Sequence, residues 1–473
     1  MELVLNIASF IDGLLWGPWT IIFIALTAIY FTLRSGFFQF RKFGFIFKNT
    51  FGKMFAKGDT ENRGVMTAFQ AAATSLAGTV GMGNIAGVAA ALSIGGPGSI
   101  FWMWLLAILG MMLKTAEITL GVHYREVDKD GNYFGGPMYY IRKGLGWKTL
   151  AKIFSIAMII DAILAATLLQ PHTVGRAFLK SYRLNPYIVT GIMALITGIV
   201  VIGGFKRIGQ FCERLVPFMS LVFILGGAIV IVVNFEKIPQ VFSMIFRHAF
   251  SAAPAAGGFA GAAIRAAIKE GMAKGMFSNE AGQGSAPMAH ATAITKHPFQ
   301  QGVWGAFEVF VDTIVICSLT AFVILSTGAF TGGESGIELV IVSFGKVFPG
   351  HIAQVIISFC ILTFCLTTQI GFFVYYETSI TDVFGKKAMK YMKWVYLVPG
   401  VIFAGVSHVD KLWVFANITV GFCALPNLIA VLTLNGVFFT LMKDYLSGEN
   451  KYTTAVTDKT KKYIKMPKRK LRT

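Results

Sequence analysis

Apolar runs of about bilayer length recur along almost the whole of this 473-residue sequence, separated by polar connectors. A helix needs roughly 20 apolar residues to cross a hydrocarbon core, and in lipid only helices and closed barrels satisfy every backbone polar group. Hydrophobic residues make up 55% of the chain and charged residues only 14%. The sequence therefore predicts an all-α, polytopic membrane protein embedded in a lipid bilayer.

Apolar run length and hydropathy predict eleven transmembrane helices. Their ranges are 15–33, 67–93, 98–123, 150–172, 186–204, 211–233, 241–275, 300–328, 350–380, 394–409 and 411–442. We expect one integral transporter domain over 1–473, with an extra helix at 15–33, a first repeat at 67–233, a second at 241–442 and a basic tail at 443–473.

The distribution of positive charge predicts orientation. The net charge is +19, but Lys and Arg lie between apolar runs, which favours a membrane surface over nucleic acid as the partner. With the amino terminus outside, the connectors that face inside carry most of the 42 Lys and Arg residues. We expect a multi-pass protein of the cell membrane with a cytoplasmic carboxyl tail, which anchors the chain or binds anionic lipid.

Two of the predicted spans are interrupted by glycine: the second, around 74–91, and the seventh, around 253–267. They lie five spans apart, so they cross the bilayer in opposite directions. Two five-helix units of opposite topology, each opening with a glycine-broken helix, are typical of an inverted-repeat transporter.

The strongest break is predicted at Gly81-Met82-Gly83-Asn84, because four glycines fall between Gly78 and Gly87. Unwound backbone inside a membrane is tolerated where it lines a cavity, and there it can bind a carboxylate and a cation. These glycines would also permit close helix packing, and the residues alone leave that alternative open.

Other chemistries lack their signatures. The five cysteines show no CxxC spacing, so neither a disulfide framework nor a transition-metal site is indicated. Nothing resembles a nucleophile triad or a phosphate-binding loop, and Gly81-x-Gly83 lacks the spacing of a dinucleotide fingerprint. We expect no enzyme activity and no cofactor apart from a coupling ion.

Five ordered motifs resemble the alanine or glycine:cation symporter family. They are GTVGMGNIAGVAAALSIGGPGSIFWMW (78–104), FGGPMYYI (134–141), FSNEAGQGSAPMAHATAITKHPFQQG (277–302), FVDTIVICSLTAFVILSTG (310–328) and ALPNLIAVL (424–432). The resemblance implies a LeuT-type ten-helix core with one extra helix. It also implies sodium-coupled symport of alanine or glycine, possibly D-alanine, into the cell by alternating access. A proton-coupled transporter of a related amino acid or amine is the nearest alternative, and an ion channel a more distant one.

The resemblance also implies site residues. Thr79, Gly81, Gly83, Asn84, Gln170, Gly258, Phe259, Gly261 and Phe372 would contact the substrate. The carbonyls of Ala77 and Val80 would bind sodium together with Asn84 and the hydroxyls of Thr367 and Thr368. Without the family, those hydroxyls could equally bond to their own helix carbonyls.

Met82 stands where the family usually has Thr, and Phe372 where it has Trp. Phe in place of Trp removes area and an N–H donor, so the resemblance leaves the identity of the amino acid open.

Ionisable residues inside predicted spans point to function or to a paired partner. Lys114 and Glu117 are predicted to pair along one helix face, Asp312 to organise the core or sense a proton, and Asp161 has no predicted partner. The loop from Ser278 to Gly282 is predicted on the cytoplasmic side as a gate or helix cap.

Overall fold

The computed structural model describes residues 2–54, 65–128, 131–251, 260–405, 410–448 and 451–452. These residues are predominantly helical. One short antiparallel hairpin pairs Glu126–Val127 (β1) with Tyr133–Phe134 (β2).

The helices in chain order are α1 Glu2–Leu15, α2 Pro18–Arg34, α3 Phe38–Arg41, α4 Phe43–Asn49, α5 Ala68–Thr79, α6 Val88–Gly95, α7 Gly98–His123, α8 Pro137–Tyr140, α9 Lys148–Asp161, α10 Gln170–Tyr182, α11 Pro186–Ile202, α12 Gly204–Val233, α13 Ile238–Phe250, α14 Ala260–Asn279, α15 Ala286–His290, α16 Pro298–Val309, α17 Ser318–Ser326, α18 Gly336–Gly345, α19 Ile352–Phe384, α20 Met389–Leu397, α21 Pro399–Ile402, α22 Asp410–Thr433 and α23 Asn435–Ser447. Wider π-helical turns at Gly83–Gly87, Ile141–Leu145, Ala162–Leu169 and Phe310–Cys317 continue several of them, and short 3-10 turns lie at Phe51–Lys53, Phe235–Lys237, Ala329–Gly332 and Lys386–Ala388.

Seven helices of the described chain are long and apolar enough to cross a membrane, and a bent pair makes an eighth. Other predicted spans coincide with shorter helices, such as the 17-residue α11 and the short α20 and α21. The predicted count of eleven therefore stays a prediction. The first span is longer than predicted: it runs over Asn6–Arg34 and is interrupted near Gly17.

The first broken helix is confirmed as a bend. Its first half, α5, begins with a capping box in which Thr67 and Gln70 exchange side-chain and backbone hydrogen bonds. The helix ends at Thr79, and Val80 takes an extended conformation. The chain resumes at Gly83 at an angle of 46° to α5.

Helix α7 packs against α14, α16 and α2. Small residues bring the backbones together: a Cβ on Gly302 of α16 would lie 2.0 Å from Thr119 Oγ1, and one on Gly271 of α14 would lie 2.3 Å from the Ser99 carbonyl oxygen. Close backbone approach through glycine is the usual packing device of membrane helices.

A short backbone tie links the two segments that flank α5 and α15. Met66 and Ala293 form a parallel β-bridge. The Val65 N–H donates to the Thr292 carbonyl at 3.2 Å, and the Ile294 N–H donates to the Met66 carbonyl at 2.8 Å. We call this contact the Met66–Ala293 tie.

Candidate functional site

Side chains hold the backbone of the first break in place. The Gly81 N–H donates to Asn84 Oδ1 at 2.9 Å, and the Met82 N–H donates to Gln170 Oε1 at 3.2 Å. A Cβ on Gly81 would lie 2.3 Å from Thr368 Oγ1, so only glycine fits there. Asn84 is fully buried. The break is therefore a built feature of the interior and not a frayed helix end.

The predicted second break stays a prediction, because Gly258 and Phe259 lie outside the described residues and only Gly261 is described, in the first turn of α14. Within the described chain a further helix interruption is the segment 280–285 between α14 and α15, which we call the second break. The last turn of α14, just before it, lies against Gly83. A Cβ on Gly83 would lie 3.3 Å from the Phe277 ring and from Ser278 Cα.

The segment from Ser278 to Gly282 is buried and lies beside the first break, and its position on the cytoplasmic side stays a prediction. Within it, Glu280 takes a left-handed backbone conformation with φ of 57°. That conformation is uncommon outside glycine and tends to cluster at functional sites. A sequence signal was available, because this run combines polar residues with two glycines inside an otherwise apolar chain.

The two breaks line a small cavity between the helices. Of the predicted substrate residues, Thr79, Gly81, Gly83, Gln170 and Phe372 line it. Its remaining wall comes from Gly78, Asp161, Ala165, Phe277, Glu280, Gln283, Thr368 and Val420. Of these, Glu280 and Gln283 belong to the second break, and Phe277 lies in the last turn of α14.

Asn84 joins the breaks to a third element. Its Nδ2 donates to Asp312 Oδ1 at 2.6 Å, and Asp312 Oδ2 accepts from Ser278 at 2.9 Å and from Thr313 at 2.8 Å. Asp312 lies in the π-helical turn after α16. As predicted, Asp312 organises the core: it holds Asn84 of the first break and Ser278, next to the second break, at one carboxylate.

The predicted sodium ligands are only partly brought together. The Thr368 hydroxyl lies 3.4 Å from the Val80 carbonyl oxygen, so these two oxygens are neighbours. Thr367 instead donates to the carbonyls of Thr363 and Phe364 of its own helix, both at 2.9 Å. Ala77 is buried in α5 close to Gly371, since a Cβ on that glycine would lie 3.3 Å from the Ala77 carbonyl carbon.

Asp161, which had no predicted partner, faces the cavity. Gln283 Nε2 donates to Asp161 Oδ2, and the Thr419 hydroxyl donates to Oδ1, both at 2.7 Å. The three residues come from α9, the second break and α22, and Asp161 and Gln283 both line the cavity.

The predicted pairing of Lys114 with Glu117 is wrong. Lys114 Nζ lies 3.2 Å from Glu308 Oε2 and donates to the Asn279 carbonyl at 2.8 Å. Glu117 accepts from Asn427 instead. The i, i+3 spacing permits a local pair, but Glu308 offers Lys114 an ion pair in a fully buried location.

Broken helices around a small polar cavity are typical of transporters with a LeuT-like architecture. Comparison with known proteins makes this specific. The chain belongs to the sodium:alanine symporter family, whose model matches residues 1–459.

Its relatives include an uncharacterized transporter, YflA, of Bacillus subtilis (strain 168), 37% identical with 96% of both chains covered. The sodium/alanine symporter AgcS of Methanococcus maripaludis is 36% identical, with 93% of this chain and 97% of that protein covered. Among solved structures, MhsT in complex with L-phenylalanine has a TM-score of 0.51 at 12% identity and covers 80% of this chain and 99% of that one. At this level of identity, the similarity to MhsT shows a shared fold and nothing about substrate.

Proposed function

We propose that this protein couples the movement of sodium to the symport of a small neutral amino acid, alanine or glycine, by alternating access. The observation that carries the proposal is the small, polar-lined cavity between two breaks in buried helices. Membership of the sodium:alanine symporter family supports it.

The cavity wall suits an amino acid zwitterion. The first turn of a helix leaves N–H groups without intrahelical partners, so the helix start at Gly83 can bind a carboxylate. Gln170 and Thr79 supply further polar groups, while Phe277 and Phe372 present apolar surface to a short side chain.

For sodium, the adjacent oxygens of Val80 and Thr368 are the best-placed candidate ligands. Neutral oxygens of this kind suit a hard, singly charged cation. Because Val80 belongs to the first break, a bound ion would also order the backbone that contacts the amino acid. This is how we expect ion and substrate binding to be coupled.

The test is counterflow of labelled alanine and glycine in proteoliposomes, with and without a sodium gradient. We expect saturable, sodium-dependent uptake by the wild-type protein and uptake at least about 10-fold slower by Gly81→Ala. Uptake that ignores sodium, or no uptake of either amino acid, would reject the proposal. Ion conductance without a saturable amino acid dependence would identify a channel.

Proton coupling is a second candidate because two carboxylates, Asp161 and Glu280, line the cavity. If a proton replaces sodium, substrate should drive proton uptake in a sodium-free assay, and Asp161→Asn or Glu280→Gln should abolish that uptake. An absence of proton movement would eliminate this alternative.

A further inference from the structure

Buried negative charge exceeds buried positive charge around the cavity. Five carboxylates of the described membrane core are almost wholly buried: Glu117, Asp161, Glu280, Glu308 and Asp312. Two lysines of the described chain, Lys114 and Lys274, are buried as well, and Lys114 pairs with Glu308. A buried charge is costly unless it is paired, so the remaining carboxylates call for protons or cations.

Asp161 is the member of this group that faces the cavity with neutral partners. Its side chain is fully buried, and both oxygens accept hydrogen bonds, from the amide of Gln283 and the hydroxyl of Thr419. Within the described chain, no Lys, Arg or His forms an ion pair with it. Each carboxylate oxygen can accept more than one hydrogen bond, so capacity is left on the cavity side.

We propose that Asp161, oriented by Gln283 and Thr419, is the subsite that binds the ammonium group of the substrate. The proposal rests on the proposed function for the identity of the amino acid. An ammonium group donates three hydrogen bonds and carries the positive charge that this carboxylate lacks. The cavity then offers complementary groups for both charges of a zwitterion: helix-start N–H groups at Gly83 for the carboxylate and Asp161 for the ammonium.

Gln283 and Thr419 are positioning residues in this arrangement. Their donors bind different oxygens of the carboxylate, which fixes its plane at the junction of α9 with the following π-helical turn. Because Gln283 belongs to the second break and Asp161 to α9, a bound ammonium would also join these two elements across the cavity.

The test uses two half-substrates with the purified full-length protein. Ethylamine carries only the cation and propionate only the carboxylate, and each is measured as a competitor of labelled alanine binding. In Asp161→Asn, which keeps the shape of the side chain, we expect alanine and ethylamine affinity to fall by about 30-fold or more. Propionate affinity and the sodium concentration for half-maximal binding should stay unchanged.

The matched control is Asp382→Asn, which neutralises a carboxylate paired with Arg142 outside the cavity. It should leave the affinities for alanine, ethylamine and propionate as in the wild type. Unchanged alanine affinity in Asp161→Asn would overturn the proposal. So would a loss confined to sodium activation, which would make Asp161 an ion ligand.

Thr419→Val and Gln283→Leu keep the proposal testable if Asp161→Asn does not fold. Each removes one hydrogen bond to a charged group, so we expect ethylamine affinity to fall about 10-fold while propionate affinity holds. Equal affinity for ethylamine in both variants and the wild type would refute the subsite. The proposed function fails separately: if the wild type transports neither alanine nor glycine yet ethylamine binding depends on Asp161, the subsite stands and the amino acid assignment falls.

Discussion

Replacing Lys114 with methionine removes the positive charge of a buried ion pair while keeping a long, flexible side chain. Lys114 Nζ lies 3.2 Å from Glu308 Oε2, and both side chains are fully buried. The same nitrogen donates to the Asn279 carbonyl, immediately before the second break. The substitution therefore leaves one carboxylate uncompensated and one carbonyl without its charged donor.

The expected cost follows from that burial. Breaking a buried ion pair by removing one partner typically destabilises a protein by about 3 to 5 kcal/mol. Glu308 keeps hydrogen bonds to Ser75 at 2.8 Å and to His290 at 2.6 Å, which disperse part of the remaining charge. We therefore expect a loss near the lower end, about 3 kcal/mol.

The protein supplies a matched control for this experiment. Lys143 Nζ lies 2.9 Å from Glu126 Oε1, but the two side chains are 38% and 45% exposed. Exposed pairs contribute about 0 to 1 kcal/mol, so Lys143→Met should cost at most about 1 kcal/mol. Free energies of unfolding are measured by SDS titration of the purified variants in mixed micelles, followed by tryptophan fluorescence.

A double-mutant cycle decides whether the charge pair is the cause. Adding Glu308→Gln to Lys114→Met removes the uncompensated charge and should recover about 2 kcal/mol. A coupling energy below about 0.5 kcal/mol, or equal losses for Lys114→Met and Lys143→Met, would refute the reasoning.

Three further predictions concern the cavity. Gly81→Ala places a Cβ 2.3 Å from Thr368 Oγ1 and should reduce the alanine uptake rate at least about 10-fold. The control is Gly87→Ala, whose Cβ would lie 3.9 Å from the nearest atom, the Met82 carbonyl oxygen, and which should retain uptake. Thr368→Val should raise the sodium concentration for half-maximal uptake about 10-fold, because the Thr368 hydroxyl bonds to the first break. Thr367→Val should raise it far less, because the Thr367 hydroxyl bonds to its own helix, and equal effects of the two variants would contradict this. Phe372→Trp should narrow the cavity. Glycine should then still compete with labelled alanine, while larger neutral amino acids should compete less than they do for the wild type. An unchanged competition series would show that the ring at position 372 does not limit substrate size.

The first break could be predicted from the sequence because its cause is local. Glycines from Gly78 to Gly87 weaken the helix whatever surrounds it, and Asn84 is placed to bond the backbone three residues earlier. Gln170 and Phe372 were reached only through resemblance to the family, since nothing local distinguishes them from other residues on buried helices.

The segment that packs against Gly83 could not be predicted in the same way. Glycine and alanine at 253–267 predict a weak helix, a prediction that falls largely outside the described residues, but helix weakness does not identify which segment lies against Gly83. That depends on tertiary packing, which brings Phe277 and Ser278 beside the first break. The same limit explains why the pairing of Lys114 was predicted wrongly. Its partner Glu308 is distant in sequence, whereas Glu117 was chosen only because it lies three residues along the same helix.

The Met66–Ala293 tie has a mechanical consequence. It fastens the start of α5 to the chain just after α15, so one end of each broken helix is held to the other by backbone hydrogen bonds. If α5 and α15 move together as one rigid body, the hinge must lie at the breaks themselves, where ion and substrate would bind. If α5 swings away alone, the tie must rupture first, and it then acts as a latch on that side of the cavity.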